Sequence, residues 1–279
     1  VIDLHMHSIF SDGSMTPEEL IAEGLSIGLK GMALTDHDTV GGVPRFIEAA
    51  EKVRMPVMTG VEVSADLDHG TLHMLGYGVD HKDRSLIEHL RWIRQGRDER
   101  NQEILHKINQ LGIRLTMDEV TKYAGADVVG RPHFAQAMIA KGIVKDKREA
   151  FDRFLAKGKP AYAERRRLEP AATIELIRGA RGLPVVAHPF TLKRNTRELR
   201  DFIAQLKAAG LGGIEVYYSE HTHEMQREFA ALAKDLDLVA TGGSDYHGSM
   251  SPGVYMGRGS SGLKVPDHVW DAIQTALRG

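Results

Sequence analysis

Short apolar runs that end in histidine or carboxylate, each followed by a helical pattern, constrain this chain more than any other feature. The first run is Val1-Ile-Asp-Leu-His5-Met-His7, with Asp12 a few residues on in a Ser-Asp-Gly-Ser turn. Alternate side chains of an extended strand point the same way, so His5 and His7 project together from the carboxyl end of a predicted first strand. The turn then returns Asp12 toward them. Two imidazoles and a carboxylate suit zinc, manganese, iron or cobalt. Met32-Ala-Leu-Thr-Asp36-His37-Asp38 repeats the pattern, Pro56 to Val63 delivers Glu62, and Thr71 to Tyr77 carries His73. Helices lie between. Thr16-Pro17-Glu18-Glu19 reads as the N-cap, first-turn proline and capping-box glutamate of one helix, and Val43 to Val53 forms a second. Strand and helix in alternation predict parallel pairing through right-handed crossovers.

From Asp83 to Pro160 the pattern changes and only helices are predicted, over 84–111, 116–123, 132–141 and 147–156. Alternation then resumes. Helices are predicted over 170–179, 197–209, 221–235 and 266–277, and strands over 183–188, 213–218 and 238–247. Three of those residues, His188, Asp245 and His247, again lie at strand ends. The organisation that follows is an α/β barrel in two parts, 1–82 and 161–279, interrupted by a helical insertion over 83–160 placed like a cap. A length of 279 residues suits one such barrel.

Composition bounds the chemistry. The formal charge of −2 gives no global basic field for duplex nucleic acid, so an anionic substrate must be held by local positive charge. The absence of cysteine removes disulfides and thiolate metal sites and is compatible with a cytoplasmic location. No run approaches the ~20 apolar residues of a membrane span, so no membrane partner is expected. A start at Val1 without methionine suggests that a short leader is missing from the numbering.

Nine strand-end residues therefore form the candidate metal set: His5, His7, Asp12, His37, Glu62, His73, His188, Asp245 and His247. His69, His81, His89, His106 and His268 fall in turns or helices and read as surface. A single metal uses three or four ligands, so this set predicts two or three divalent ions. The ordered motifs His5-Met-His7, Asp12-Gly, Thr35-Asp36-His37-Asp38, Gly60-Val-Glu62, the His73 strand, Ala187-His188-Pro189 and Gly243-Ser-Asp245-Tyr-His247 resemble those of the PHP (polymerase and histidinol phosphatase) phosphoesterases of the amidohydrolase superfamily. The resemblance implies a distorted (β/α)7 TIM-like barrel with a trinuclear centre, most often manganese, with zinc or iron as alternatives. It also implies one ion on His5, His7, Glu62 and Asp245, a second sharing Glu62 with His73 and His188, and a third on Asp12, His37 and His247. Asp36 and Asp38 are placed behind these ligands.

Two insertion motifs, Arg97-Asp-Glu-Arg100-Asn101 and Gly130-Arg131-Pro132-His133-Phe134, are similar to those of the PHP branch that removes the 3'-phosphate from nucleoside 3',5'-bisphosphates. Arg97, Arg100 and Asn101 share a helical face, and guanidinium groups grip phosphate at two points. Arg131 and His133 open a helix whose free N–H groups favour anions. The expected reaction is in-line attack by a hydroxide between metal ions, with the arginines on the remote 5'-phosphate. His221 or His223 is the candidate proton donor, and Tyr217, Tyr218, Phe134 and Phe190 are candidate base-stacking residues. Alternatives are a 5'-3' exoribonuclease on very short RNA, a histidinol phosphate phosphatase, and a non-catalytic PHP module.

Overall fold

The computed structural model describes residues 1–123, 129–260 and 262–279. They form two compact units, Val1–Arg91 with Leu168–Gly279, and Trp92–Arg167. In the first, six strands lie side by side in chain order: β1 (Met32–Leu34), β2 (Val57–Ala65), β3 (Leu72–Tyr77), β4 (Leu183–Val186), β5 (Gly213–Tyr218) and β6 (Val239–Gly243). The pairs β1–β2, β4–β5 and β5–β6 are parallel, whereas β3 runs antiparallel to both neighbours. Uniform parallel pairing therefore fails at β3. The link over 66–71 is shorter than the dozen or so residues that a parallel crossover requires, so β2 and β3 form a hairpin.

The predicted first strand is a run of isolated bridges. Asp3 bridges Met32 and Met6 bridges Tyr246, both in parallel. The segment thus joins β1 to the residues after β6, through Ala33 N–H to Asp3 O (3.0 Å), His7 N–H to Tyr246 O (2.9 Å) and Asp245 N–H to His5 O (2.8 Å). Gly243 permits the approach, since a Cβ there would lie 2.3 Å from both the Cβ and the backbone nitrogen of His5.

The helices are α1 (Pro17–Ser26), α2 (Val43–Val53), α3 (Arg84–Gln110), α4 (Met117–Thr121), α5 (Arg131–Ala140), α6 (Lys147–Ala150), α7 (Pro170–Gly179), α8 (Thr196–Ala208), α9 (His223–Asp235) and α10 (His268–Ala276). A π-turn over Phe151–Leu155 follows α6. Capping boxes open α1 (Thr16, Glu19), α4 (Thr116, Glu119) and α8 (Asn195, Glu198), satisfying backbone donors that a helix start leaves free. His221, predicted as the start of α9, lies before it; Thr222 is the cap.

Leu4, Leu75, Tyr77, Val185, Val269 and Ile273 belong to one core of the first unit. Leu20, Met32, Leu34 and Phe46 belong to a second. The other unit has its own core, with Ile104, Ile108, Val120, Phe134, Met138 and Leu155. Gly243→Ala is expected to destabilise the protein by about 1–3 kcal/mol, the cost of overpacking against backbone that cannot yield, measured by urea unfolding.

Candidate metal centre

All nine candidate ligands meet in the first unit. Glu62, in the middle of β2, is fully buried. Its Oε2 lies 3.2 Å from His5 Nε2, 3.2 Å from His7 Nε2 and 3.1 Å from His37 Nδ1. Its Oε1 lies 2.9 Å from His73 Nδ1 and 3.0 Å from His188 Nε2. Asp245 Oδ1 faces His7 Nε2 at 3.1 Å and His5 Nε2 at 3.3 Å. Asp12 faces His247 Nε2 at 3.1 Å and His37 Nε2 at 3.5 Å. Three sets of mutually close ligand atoms result, each within 4.8 Å: His5, His7, Glu62 and Asp245; His7, Asp12, His37 and His247; and His37, Glu62 and His73. The first coincides with a set implied by the sequence resemblance. In the second His7 is added, and in the third His37 stands beside Glu62 and His73 where His188 was expected.

The outer nitrogens of four of these rings are held from behind. His5 Nδ1 meets Glu215 Oε1 at 3.0 Å, His188 Nδ1 meets Thr191 Oγ1 at 3.1 Å, His247 Nδ1 donates to Asp245 O at 2.9 Å, and His7 Nδ1 meets Ser11 Oγ at 3.4 Å. Each ring thereby turns Nε2 inward, the arrangement that fixes tautomer and aim in metal sites. Asp36 accepts from Ser8 and Ser11, beside His7 and Asp12, and Asp38 accepts from Ser64 of β2, two residues from Glu62. Glu215 escaped the sequence reading, and Tyr218, expected there only as a stacking residue, donates its hydroxyl to Asp245 Oδ2 at 2.9 Å. The available signal was a lone glutamate inside the apolar run Gly213-Ile-Glu-Val-Tyr-Tyr.

The donor set fits divalent cations. His7 Nε2, His37 Nδ1, His73 Nδ1 and Asp245 Oδ1 are buried without a hydrogen bond, although oppositely charged or polar atoms lie close by. Proximity without hydrogen-bond direction means that the atoms aim at a common point rather than at one another. Asp38 (φ 51°), His188 (φ 27°) and Asp245 (φ 58°) have left-handed backbone. Such strain, about 1–3 kcal/mol each, persists where surrounding contacts over-determine it, and it clusters at functional sites.

Charges are strongly coupled here. Burial opposes ionisation of Glu62 and Asp245, but the surrounding imidazoles hold both carboxyls well below their usual range. Asp12 is depressed against burial by His37, His247 and His7. Burial pulls His7 down, yet Asp245 and Glu62 outweigh it and raise the ring to about 10, and His5 is raised by Asp245, Glu215 and Glu62. His37 goes the other way, to about 3, chiefly by burial.

The family profile described as PHP domain matches residues 3–163. The chain belongs to the PHP family. A 3',5'-nucleoside bisphosphate phosphatase from Chromobacterium violaceum is 32% identical to this PHP chain over 277 residues, 99% of the chain and 97% of that protein. A 5'-3' exoribonuclease from Haemophilus influenzae is 32% identical over 245 residues, 88% of the chain and 89% of that protein. Among solved structures, an amidohydrolase from Chromobacterium violaceum with bound sulfate and no metal is similar with a TM-score of 0.81 at 32% identity, covering 99% of this chain and 96% of that one.

The second unit of the PHP chain holds an arginine cluster. Arg100 is nearly buried, and burial together with Arg165, Arg131, Arg97 and Arg167 lowers its pKa to about 9. Arg165 and Arg167 come from the run Arg165-Arg166-Arg167, which the sequence reading passed over; Arg166 pairs instead with Glu99. Residues 92–167 carry 17 Lys and Arg against 10 Asp and Glu, a concentration masked by 36 against 38 in the whole chain. Asn101 Nδ2 donates to Val129 O at 2.9 Å, and Arg131 lies over the Tyr162 ring at 5.4 Å. His133 accepts from Gly130 N–H at 3.0 Å, capping its own helix, and burial lowers its pKa.

His221 Nδ1 must carry its proton, because it donates to Val216 O at 2.8 Å, and burial disfavours the charged ring. In this neutral tautomer Nε2 accepts protons, which argues against His221 as the donor. His223 is exposed. Of the stacking candidates, Phe134 and Tyr218 are buried and Tyr217 packs against the core, whereas Phe190 is partly exposed.

Cations must displace protons from His5 and His7. Manganese binding to chelator-stripped protein at pH 7–8 is expected to release protons, read by calorimetry in buffers of different ionisation enthalpy. A ring raised from 6.5 to about 10 stabilises the metal-free fold fully below pH 6.5 and loses that contribution as pH rises through 10. The stripped protein's melting temperature should therefore fall across that window.

Proposed function

We propose that this protein is a metal-dependent phosphoric monoester hydrolase that converts nucleoside 3',5'-bisphosphates to nucleoside 5'-phosphates and orthophosphate. One observation carries the reading: six imidazoles and three carboxylates from distant parts of the chain converge with inward-aimed, unsatisfied ligand atoms. The full-length similarity to a nucleoside bisphosphate phosphatase supports the choice of substrate. His5, His7, Asp12, His37, Glu62, His73, His188, Asp245 and His247 would hold two or three divalent ions, manganese before zinc or iron. When bound, such ions withdraw charge from phosphoryl oxygens and make water more acidic.

The remaining work falls to the chain. Arg97, Arg100, Arg131 and Asn101, joined by Arg165 and Arg167, bind the 5'-phosphate, since planar guanidinium forks match phosphate oxygens. Binding energy from that remote group orients the 3'-ester for attack. His133 positions the start of α5 through its cap. His223 is assigned the proton for the departing 3'-oxygen, and Phe190 the face of the base.

The same reading takes the six strands and the bridging segment over residues 2–7 as a distorted (β/α)7 barrel of the amidohydrolase superfamily. It places the enzyme in the cytoplasm, acting on nucleotides rather than duplex nucleic acid. Among the described residues no helix is long and apolar enough to cross a membrane.

A second reading, 5'-3' exoribonuclease action on very short RNA, is supported by the Haemophilus influenzae relative and uses the same groups. Histidinol phosphate, with one phosphate, leaves the arginine cluster without a role, and a non-catalytic module has no use for a complete ligand set.

Phosphate release should be fastest with a nucleoside 3',5'-bisphosphate and added manganese. Comparison with a 5'-phosphorylated dinucleotide separates the two readings, and absence of hydrolysis of either would sink both. Arg100→Ala should lower kcat/KM for the bisphosphate about 10- to 100-fold, the worth of a charge-assisted hydrogen bond, while changing hydrolysis of a nucleoside 3'-monophosphate less than about threefold.

A further inference from the structure

We infer that β5, which supplies no metal ligand, sets the geometry of the centre through a bulge that turns both Glu215 and Tyr218 toward the candidate ligands His5, His188 and Asp245. In a regular strand, residues three apart point to opposite faces. The β5–β6 ladder, however, pairs Glu215 with Thr241 and Tyr217 with Gly242, so its register shifts at Val216. An inserted residue resets the alternation and re-aims the side chains beyond it. Glu215 and Tyr218 thereby both reach the ligands.

Glu215 is fully buried and uses both oxygens. Oε1 meets His5 Nδ1 at 3.0 Å, and Oε2 accepts the backbone N–H of His188 at 2.7 Å. One carboxylate therefore fixes the ring of one ligand and the strained backbone of another, at φ 27°. Tyr218 does the same for Asp245, whose backbone is also left-handed, by donating to Oδ2 and leaving Oδ1 for His5 and His7. The shift is itself latched. The carbonyl of Val216 accepts Nδ1–H of His221, a ring packed between Tyr218, Phe190 and Phe229. His221 is thus a positioning residue, acting through β5 rather than on substrate.

The inference rests on the metal reading above but not on any substrate. Its test is titration of manganese alone into chelator-stripped wild-type, Glu215→Gln and Tyr218→Phe proteins by calorimetry, with melting temperatures of stripped protein and visible spectra of cobalt-loaded protein in parallel. Glu215→Gln keeps the volume but loses the carboxylate. It should weaken manganese binding about 10- to 100-fold, as loss of a ligand-orienting partner does, and alter the cobalt spectrum. Tyr218→Phe should weaken binding about tenfold. A purely structural role would lower the melting temperature and leave metal affinity and spectrum unchanged, which would overturn the inference. If Glu215→Gln does not fold, Tyr218→Phe decides by the same criterion. Wild-type protein that binds no manganese would overturn the metal reading and this inference together, whereas normal binding in both variants overturns only the latter.

Discussion

The buried carboxylate of Glu62 is the constraint on which the first unit depends. It lies in the middle of β2, out of solvent, and five imidazoles approach its two oxygens within 3.2 Å. A carboxylate withdrawn from water costs several kcal/mol unless partners replace hydration. Those partners come from the N-terminal segment, the loop after β1, β3 and the turn after β4. Satisfying one side chain therefore ties together pieces of chain that are far apart in sequence.

Buried acids that touch no candidate metal position do the complementary work. Asp3 accepts from Ser244 N–H and Oγ–H and from Gly257 N–H, fixing the turn that carries Asp245. Asp36 fixes Ser8 and Ser11, the neighbours of His7 and Asp12. Glu215 and Tyr218 hold His5, His188 and Asp245 from β5. The strained backbone at His188 and Asp245 is sustained by these bonds, which hold the candidate ligands from behind. Partners of this kind orient the groups of a metal site.

Electrostatics divide along the two units. The first gathers carboxylates and imidazoles around one point, and the second concentrates arginines, where burial and then mutual repulsion lower Arg100. Guanidinium geometry suits a dianionic phosphate.

Much of this was legible in the chain. Histidine and carboxylate on the apolar runs marked the nine candidate residues that the fold brings together, and capping boxes such as Thr16–Glu19 marked where helices begin. These signals are local, carried by neighbouring residues. The tertiary structure decided what depends on distant partners. Whether β3 turns back as a hairpin was set by a short link, and the first segment became a set of bridges because Gly243 lets it lie against β6. Glu215, Tyr218 and Arg165 carried no motif; their roles arise only when the strand register and the loop paths bring them within reach of groups tens to hundreds of residues away, because hydrogen bonds and Coulomb forces act through space and not along sequence.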